Sequence, residues 1–249
     1  MDSISISLCI PTMRRYDDFL QYSLPKYIEN KHVTEIVICD ETGEDYEKIT
    51  ENFSNPKLKV YNNEIKLGCF KNKMNVASKA TCDYICIFDS DNFANEDYFI
   101  SFKQFILNNN YQVNSLFLPS FAKPNFNYLW FVNKEIIKDN VISILNDGRS
   151  ELNKGSGLDV LLNTMNCIIP KKFFDTYTIL NDHPWCDSCF AYDSEYFCLY
   201  SLFEMNANIY CVSGMEYEHR VHNGSHYTEM CGISENFHRC MLQRFYGNN

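Results

Sequence analysis

A chain of 249 residues is long enough to bury most of its apolar surface in one sizeable core. Hydrophobic residues make up 45% of the sequence and charged residues 22%, a globular composition that excludes an intrinsically disordered chain. The formal net charge of -10 argues against a surface that collects nucleic-acid phosphates, so we expect no nucleic-acid partner. An anionic substrate would therefore need a local metal ion or a few well-placed lysine and arginine side chains.

The cysteine content is high, with 12 cysteines, and would suit a disulfide framework only in an exported protein. The first residues contain no basic stretch that leads into a long apolar one, so they do not resemble a secretory signal. No apolar run approaches the length that spans a bilayer, and we expect no integral membrane segment. Reduced thiols and a cytoplasmic location are therefore predicted.

The first half of the chain alternates strand-like and helix-like patterns. Short apolar runs predict strands, and apolar residues at helical spacing predict the helices between them. In chain order, we expect a strand at 4–10, a helix at 17–30, a strand at 35–39, a helix at 45–53, a strand at 58–61, a helix at 71–80 and a strand at 83–88. This alternation predicts an α/β fold with a mostly parallel central sheet flanked by helices.

The second half is less regular, and residues 119–163 show no clear pattern. The expected elements are helices at 95–107, 192–205 and 233–245 and strands at 115–118, 167–169, 209–212 and 215–219. No repeat, linker or low-complexity tract divides the sequence. We therefore expect a single domain over residues 1–249.

Polar residues follow three of the predicted strands, at the edge where an open α/β sheet binds its ligands. They are Pro11-Thr12, Asp40-Glu41 and Asp89-Ser90-Asp91. The two carboxylates of the last group follow a buried strand at spacing i, i+2 and can converge on a hard divalent cation such as Mn²⁺ or Mg²⁺. The alternative is an acidic turn or a helix cap, because aspartate favours both positions.

A strand that ends in Asp-x-Asp also resembles the nucleophile strand of the haloacid-dehalogenase-like phosphatases. That family needs its motif on an early strand, followed by a later strand that ends in Gly-Asp. Here the motif follows three earlier strands, and the sequence has no such later strand. A metal-dependent phosphatase is therefore the runner-up interpretation.

The sequence around these strand ends resembles the GT-A nucleotide-sugar glycosyltransferases, in particular glycosyltransferase family 2. Residues 6–12 (ISLCIPT) look like the family's first strand and nucleotide-binding loop, and Asp40 matches its base-contacting acid. Residues 67–73 (LGCFKNK) and 83–91 (DYICIFDSD) reproduce the family's spacing from Leu-Gly to Asp-x-Asp. The resemblance implies a single Rossmann-like GT-A domain that binds a nucleotide sugar.

The resemblance divides this domain into a nucleotide-sugar-binding half, residues 1–110, and a smaller acceptor-binding half, residues 111–249. It also implies a UDP-sugar donor, because Asp40 and the Thr12 loop match a uracil pocket. Lys73 takes the place of a common arginine and is the best candidate for a diphosphate contact. The predicted donor-binding residues are Pro11, Thr12, Arg14, Asp40, Lys66, Gly68, Lys73, Asp89, Ser90 and Asn166.

Sugar transfer also needs a general base, because the acceptor hydroxyl must lose its proton as it attacks. Residues 192–195 (YDSE) resemble the family's Glu-Asp motif, whose Asp is the base, with Tyr192 in place of the Glu. Asp193 is therefore the predicted base, with Asp187 and Glu195 as alternatives. Asp193 could instead cap the helix that follows it.

The metal shell implied by the resemblance includes a late histidine. Residues 216–222 resemble a late strand whose histidine can complete that shell. His219 is thus the predicted ligand beside Asp91 and Asp89, and His222 is the alternative.

Trp185 and Asp187 are the predicted acceptor-binding residues, since Trp185 in a polar loop can stack on a sugar ring. The whole pattern predicts a metal-dependent enzyme that moves a sugar from a nucleotide-diphosphate donor to a hydroxyl group of a glycan or small acceptor. The resemblance implies inversion by a single in-line displacement. Tyr192 and Met165, which stands where the family has glycine, leave open a chain that binds nucleotide sugar or glycan without turnover.

Overall fold

A ten-stranded sheet forms the centre of the computed structural model, which describes residues 4–144, 158–181, 191–220, 222 and 225–247. The strands are β1 (Ile6–Thr12), β2 (Glu35–Asp40), β3 (Leu58–Asn62), β4 (Tyr84–Ile87), β5 (Phe93–Ala94), β6 (Ser115–Lys123), β7 (Phe126–Asn127), β8 (Glu135–Ile136), β9 (Cys167–Pro170) and β10 (Asn208–Glu218). Their order is β3-β2-β1-β4-β9-β6-β10-β5, with β7 beside β6 and β8 beside β10.

The first four strands are parallel to one another, as the alternating sequence pattern predicts. All residues of β1, β2 and β4 are buried, because helices cover the sheet on its faces. β9 is antiparallel to β4 and β6, whereas β6 and β10 are parallel. The predicted α/β fold with a mostly parallel central sheet is confirmed.

Helices fill the connections between the strands. They are α1 (Gln21–Glu29), α2 (Glu44–Asn52), α3 (Cys69–Ser78), α4 (Glu96–Asn108), α5 (Leu158–Leu162), α6 (Lys171–Phe174), α7 (Asp193–Phe203), α8 (His226–Met230) and α9 (Glu235–Tyr246). α7 is buried almost all round and packs against α3, α5 and α9, as expected for a helix with few polar positions. Among the described residues, no helix has the length and apolar character to cross a membrane.

Two elements differ from the sequence prediction. The helix predicted at 17–30 begins with a π-helical turn, Tyr16–Leu20, and continues as α1 with Pro25 inside it. The late strands predicted at 209–212 and 215–219 form one strand, β10, with a register shift between Val212 and Glu216. The short strands β5, β7 and β8 and the short helix α8 escaped prediction because two to five residues carry no measurable periodicity.

The strand register sets the position of the polar strand ends. Thr12 pairs with Asp40 across β1 and β2, and Asp40 pairs with Asn62 across β2 and β3. Ile87, the last residue of β4, pairs with Cys9 in β1. The segments that follow β1, β2 and β4 therefore leave the sheet at one edge.

Candidate functional site

A cavity of about 850 Å³ opens at this edge of the sheet. Its lining includes the segments after β1, β2 and β4, the start of α3 and the end of β10. Residues of α5, α7, α8 and α9 complete it. The cavity lies where an open α/β sheet is expected to bind its ligand.

The loop after β1 is held in shape by Asp45, which the sequence analysis did not single out. Its carboxylate accepts hydrogen bonds from the Thr12 hydroxyl at 2.5 Å and from the backbone N–H groups of Arg15 and Tyr16 at 3.0 and 2.9 Å. Asp45 is buried, so these three donors lie in a fixed arrangement. Pro11 and Thr12, both predicted donor-binding residues, line the cavity in this loop.

Asp40, the predicted contact of the nucleotide base, holds the backbone at the start of α2. Its fully buried carboxylate accepts the backbone N–H groups of Thr42, Asp45 and Tyr46 at 2.9 to 3.1 Å. These bonds stabilise the start of α2, and Asp40 does not line the cavity. Sequence pattern alone cannot separate a base contact from such a helix-start role.

Arg14 also lies outside the cavity lining. Its side chain is 66% exposed and forms an ion pair with Glu44 at 2.8 Å. The neighbouring Arg15 lines the cavity instead. Of the two arginines in this loop, Arg15 is therefore the one that lines the cavity, and donor binding by Arg14 stays a prediction.

Glu41, next to Asp40, is a cavity residue that we did not assign a role from the sequence. Its Oε2 accepts the backbone N–H groups of Leu67 and Gly68 at 2.8 and 3.2 Å. Gly68 has a φ of 84°, a conformation that favours glycine, and begins the entry into α3. Lys66 and Gly68 line the cavity, as predicted for donor-binding residues.

A buried charge cluster lies deeper in the cavity. The Lys73 ammonium is 3.0 Å from Asp193 Oδ2, 3.5 Å from Asp89 Oδ1 and 3.3 Å from the Ser194 hydroxyl. Burial opposes the charged form of Lys73, but Asp193 and Asp89 outweigh it and raise the pKa of the ammonium above its ordinary value. Lys73 therefore joins the strand-end motif to α7, and it lines the cavity in which its contact with a diphosphate is predicted.

Asp89 lies near two other carboxylates in this cluster. Burial raises the pKa of its carboxyl, and the neighbouring carboxylates of Asp91 and Asp193 raise it further, whereas Lys73 lowers it. The backbone N–H of Asp89 donates to Asn166 Oδ1 at 2.9 Å, which ties β4 to the segment before β9. Ser90 and Asn166 both line the cavity, in agreement with their predicted position.

Asp193 is the first residue of α7, and the cap position before it is Tyr192. The Asp193 Oδ1 atom accepts the N–H and the hydroxyl of Ser194 at 2.9 and 3.2 Å, while Oδ2 faces Lys73. The helix-cap alternative therefore does not describe this residue. Its carboxylate is buried and lies in the cavity lining beside a cation.

The two late histidines separate in the structure. His222 Nε2 lies 2.8 Å from Asp91 Oδ2, so the alternative ligand is the one that contacts the motif. His219 lines the cavity, but its Nδ1 pairs with Asn125 Nδ2 at 2.8 Å, and burial lowers the pKa of its imidazole. Within the described ranges, no three His, Cys, Asp or Glu side chains converge as a metal site.

A second polar pair, which the sequence analysis missed, lines the cavity. Glu195 Oε2 lies 2.8 Å from Nε2 of His238 on α9, and the imidazole stacks on the Tyr192 ring. No local signal pointed to His238, because it lies 43 residues from Glu195 in the sequence. The predicted acceptor residues Trp185 and Asp187 lie outside the described residues.

Met165, which stands where the family has glycine, keeps a backbone conformation that glycine favours. Its φ of 34° lies in the left-handed region that favours glycine, the residue that the family has at this position. The backbone therefore keeps the conformation that the pattern implies, although the residue type has changed. The side chain is buried in the core.

Solved structures of TarS from S. aureus share this fold. TarS 1-349 in complex with UDP-GlcNAc matches with a TM-score of 0.62 at 15% identity, covering 90% of this chain and 61% of that one. The complex of TarS 1-349 with UDP matches with a TM-score of 0.57 at 15% identity and covers 88% and 61%. The crystal structure of TarS matches with a TM-score of 0.57 at 16% identity and covers 88% and 37%.

The chain thus spans less than two thirds of the length of these TarS chains, and its fold is GT-A-like as in TarS. No curated protein matches the sequence. Residues 7–162, more than half of the chain, match the family model described as Glycosyl transferase family 2, and the protein is therefore an enzyme of glycosyltransferase family 2.

Proposed function

We propose that this enzyme transfers a sugar from a UDP-sugar to a hydroxyl group of a glycan or small acceptor. The observation that carries the proposal is the buried cluster in which Lys73 lies between Asp89 and Asp193. Asp89 belongs to the strand-end motif, and Asp193 begins α7 in the acceptor-side half. The TarS complexes with UDP and UDP-GlcNAc support a uridine nucleotide as the donor.

The donor would lie along the end of β1, the loop that follows it and the segment before α3. Pro11, Thr12 and Gly68 line this part of the cavity. Arg15 and Lys66 line it too and would supply positive charge for a diphosphate. Local cations matter here because the protein has a net charge of -10. Lys73 contributes indirectly, by compensating the buried Asp193 and the partly exposed Asp89.

A divalent metal ion, Mn²⁺ or Mg²⁺, would be held by Asp91 and Asp89, with His222 beside Asp91. The donor set fits such an ion, because carboxylate oxygens and an imidazole nitrogen are suitable ligands and His222 Nε2 lies 2.8 Å from Asp91 Oδ2. When bound, the ion neutralises the charge that develops on the diphosphate leaving group. His219 lines the cavity nearby as the second candidate nitrogen ligand.

Asp193 is the proposed general base. Its Oδ2 lies 3.0 Å from the Lys73 ammonium, and the residue lines the cavity. Removal of the proton from the acceptor hydroxyl makes its oxygen a better nucleophile toward the anomeric carbon. A single in-line displacement on the face opposite the diphosphate would invert that carbon.

Membership of glycosyltransferase family 2 removes the phosphatase alternative. UDP release from a panel of UDP-sugars, with Mn²⁺ or with excess EDTA, tests the proposal. We expect release from at least one donor with Mn²⁺ and its loss in EDTA. Full activity in EDTA would contradict the metal role, and UDP binding without release from any donor would indicate a binding protein.

Asp91→Ala should abolish UDP release while the protein stays folded, because the variant loses a carboxylate that we propose as a metal ligand, the one that contacts His222. Asp97→Ala is the matched control, since Asp97 is an exposed acid in the first turn of α4 and lies outside the cavity lining. The control should keep wild-type release. Equal activity of the two variants would remove Asp91 from the site.

A further inference from the structure

The proposed function does not use the Glu195–His238 pair. Glu195 comes from the first turn of α7 and His238 from α9, and both line the cavity. The Glu195 side chain is only 3% exposed and that of His238 is 24% exposed. The carboxylate is thus shielded, and the imidazole is the member of the pair that a ligand can reach.

The imidazole of His238 is fixed in orientation from two directions. Glu195 Oε2 lies 2.8 Å from Nε2, and the Tyr192 ring stacks on the imidazole with centroids 3.8 Å apart and planes 8° apart. A carboxylate at Nε2 favours the tautomer with its proton there, so that Nδ1 is the nitrogen with a lone pair for a ligand. Such a second contact on an imidazole is a common way to set its role.

The surroundings of the pair are polar. The Glu195 N–H points to Asn163 Oδ1 at 3.4 Å, and Asp159 and Asn163 of the neighbouring segment line the same cavity. Burial raises the pKa of Glu195, and Asp159 raises it further, while His238 lowers it. Carboxylate, amide and imidazole groups beside an aromatic ring are the chemistry that recognises sugar hydroxyl groups and the apolar face of a sugar ring.

We propose that Tyr192, Glu195 and His238 form a subsite for a polyhydroxylated acceptor, a carbohydrate or a polyol. His238 hydrogen-bonds to a hydroxyl group of the acceptor, and Glu195 positions His238. The inference rests on the proposed function and names the acceptor class for the same cavity.

The subsite lies close to the proposed base. Asp193 and Glu195 both belong to the first turn of α7 and both line the cavity, with a rise of about 3 Å between them along the helix axis. An acceptor held at His238 can therefore present a neighbouring hydroxyl group to Asp193. His238 acts on the reaction by positioning this hydroxyl group.

The experiment measures how the transferred sugar divides between water and an added acceptor. The enzyme is incubated with UDP-GlcNAc or the active donor from the UDP-sugar panel, with Mn²⁺ and one of glycerol, xylitol, glucose, galactose or N-acetylglucosamine. Mass spectrometry gives the ratio of glycoside to free sugar, and calorimetry gives the affinity for UDP. The ratio does not depend on how much of a variant is folded.

His238→Phe keeps a ring that can stack on Tyr192 but removes both nitrogens. We expect the ratio of glycoside to free sugar to fall by about tenfold, the effect of one lost hydrogen bond, with UDP affinity within about twofold of wild type. His238→Asn retains a polar atom near the position of Nδ1 and should recover part of the ratio. Arg239→Ala, an exposed neighbour on α9 outside the cavity lining, should leave the ratio unchanged.

Three outcomes count against the inference. A wild-type ratio in His238→Phe would overturn the role of the imidazole. A wild-type enzyme that releases UDP but glycosylates none of the five probes would overturn the assignment of a polyhydroxylated acceptor. No release of UDP from any UDP-sugar would contradict the proposed function itself, and the acceptor subsite that rests on it would be overturned as well.

Discussion

The two sides of the cavity are held together in different ways. On the proposed nucleotide side, carboxylates accept backbone N–H groups of neighbouring loops, as Asp40 does with the start of α2. On the proposed acceptor side, elements distant in sequence meet through pairs of polar side chains, such as Lys73 with Asp193 and Glu195 with His238. The first arrangement fixes the shape of the backbone, and the second fixes charge and side-chain orientation.

This difference predicts different consequences of substitution. Loss of a carboxylate that holds backbone should loosen a loop and weaken nucleotide binding together with stability. Loss of one member of a buried charge pair should leave its partner uncompensated, with a large effect on stability and on the chemical step. Comparing stability, UDP affinity and turnover in the same variants therefore tests the distinction.

Lys73→Met is expected to have the largest effect. Removing the cation leaves the buried Asp193 carboxylate and the partly exposed Asp89 carboxylate uncompensated, and breaking a buried ion pair such as Lys73–Asp193 typically costs about 3–5 kcal/mol. We expect this loss of unfolding free energy in urea, together with loss of UDP release. Lys71→Met, on the same helix and outside the cavity lining, should stay within about 0.5 kcal/mol of wild type. Equal stability of the two variants would contradict a structural role of the cluster.

Asp40→Ala should have an intermediate effect. Three backbone N–H groups lose their acceptor, and a buried donor without a partner costs about 1–3 kcal/mol. The loosened start of α2 also carries Asp45, which holds the Thr12 loop, so UDP affinity should fall by about tenfold. Urea unfolding and calorimetry with UDP measure the two effects. An affinity loss without any loss of stability would place Asp40 in contact with the base, as the sequence alone predicted.

Arg14→Ala should have the smallest effect. An exposed ion pair such as that with Glu44 contributes about 0–1 kcal/mol, and Arg14 lies outside the cavity lining. UDP affinity measured by calorimetry should therefore equal that of wild type. A tenfold loss of affinity would restore Arg14 to the donor site that the family resemblance implied.

The sequence was most informative where a short stretch carries both the structure and the chemistry. The polar groups Thr12 and Asp91 were predicted to lie at one edge of the sheet because they follow apolar runs that read as parallel strands, and both line the cavity. The roles of Asp40 and Arg14 stay predictions, because a side chain near a strand end can turn to either the cavity or the backbone and the sequence does not decide which. His238 could not be predicted, because its contact with Glu195 depends on the packing of α9 against α7.

The most direct test of the account is the rate of UDP release by Asp193→Asn beside that of the wild type, with UDP affinity measured on the same samples. Asparagine keeps the size of the side chain but does not accept a proton at neutral pH. If Asp193 is the base, UDP affinity should survive, while release in the presence of acceptor falls by roughly 10²–10⁴-fold. Wild-type release by Asp193→Asn would contradict the account and move the base to another carboxylate.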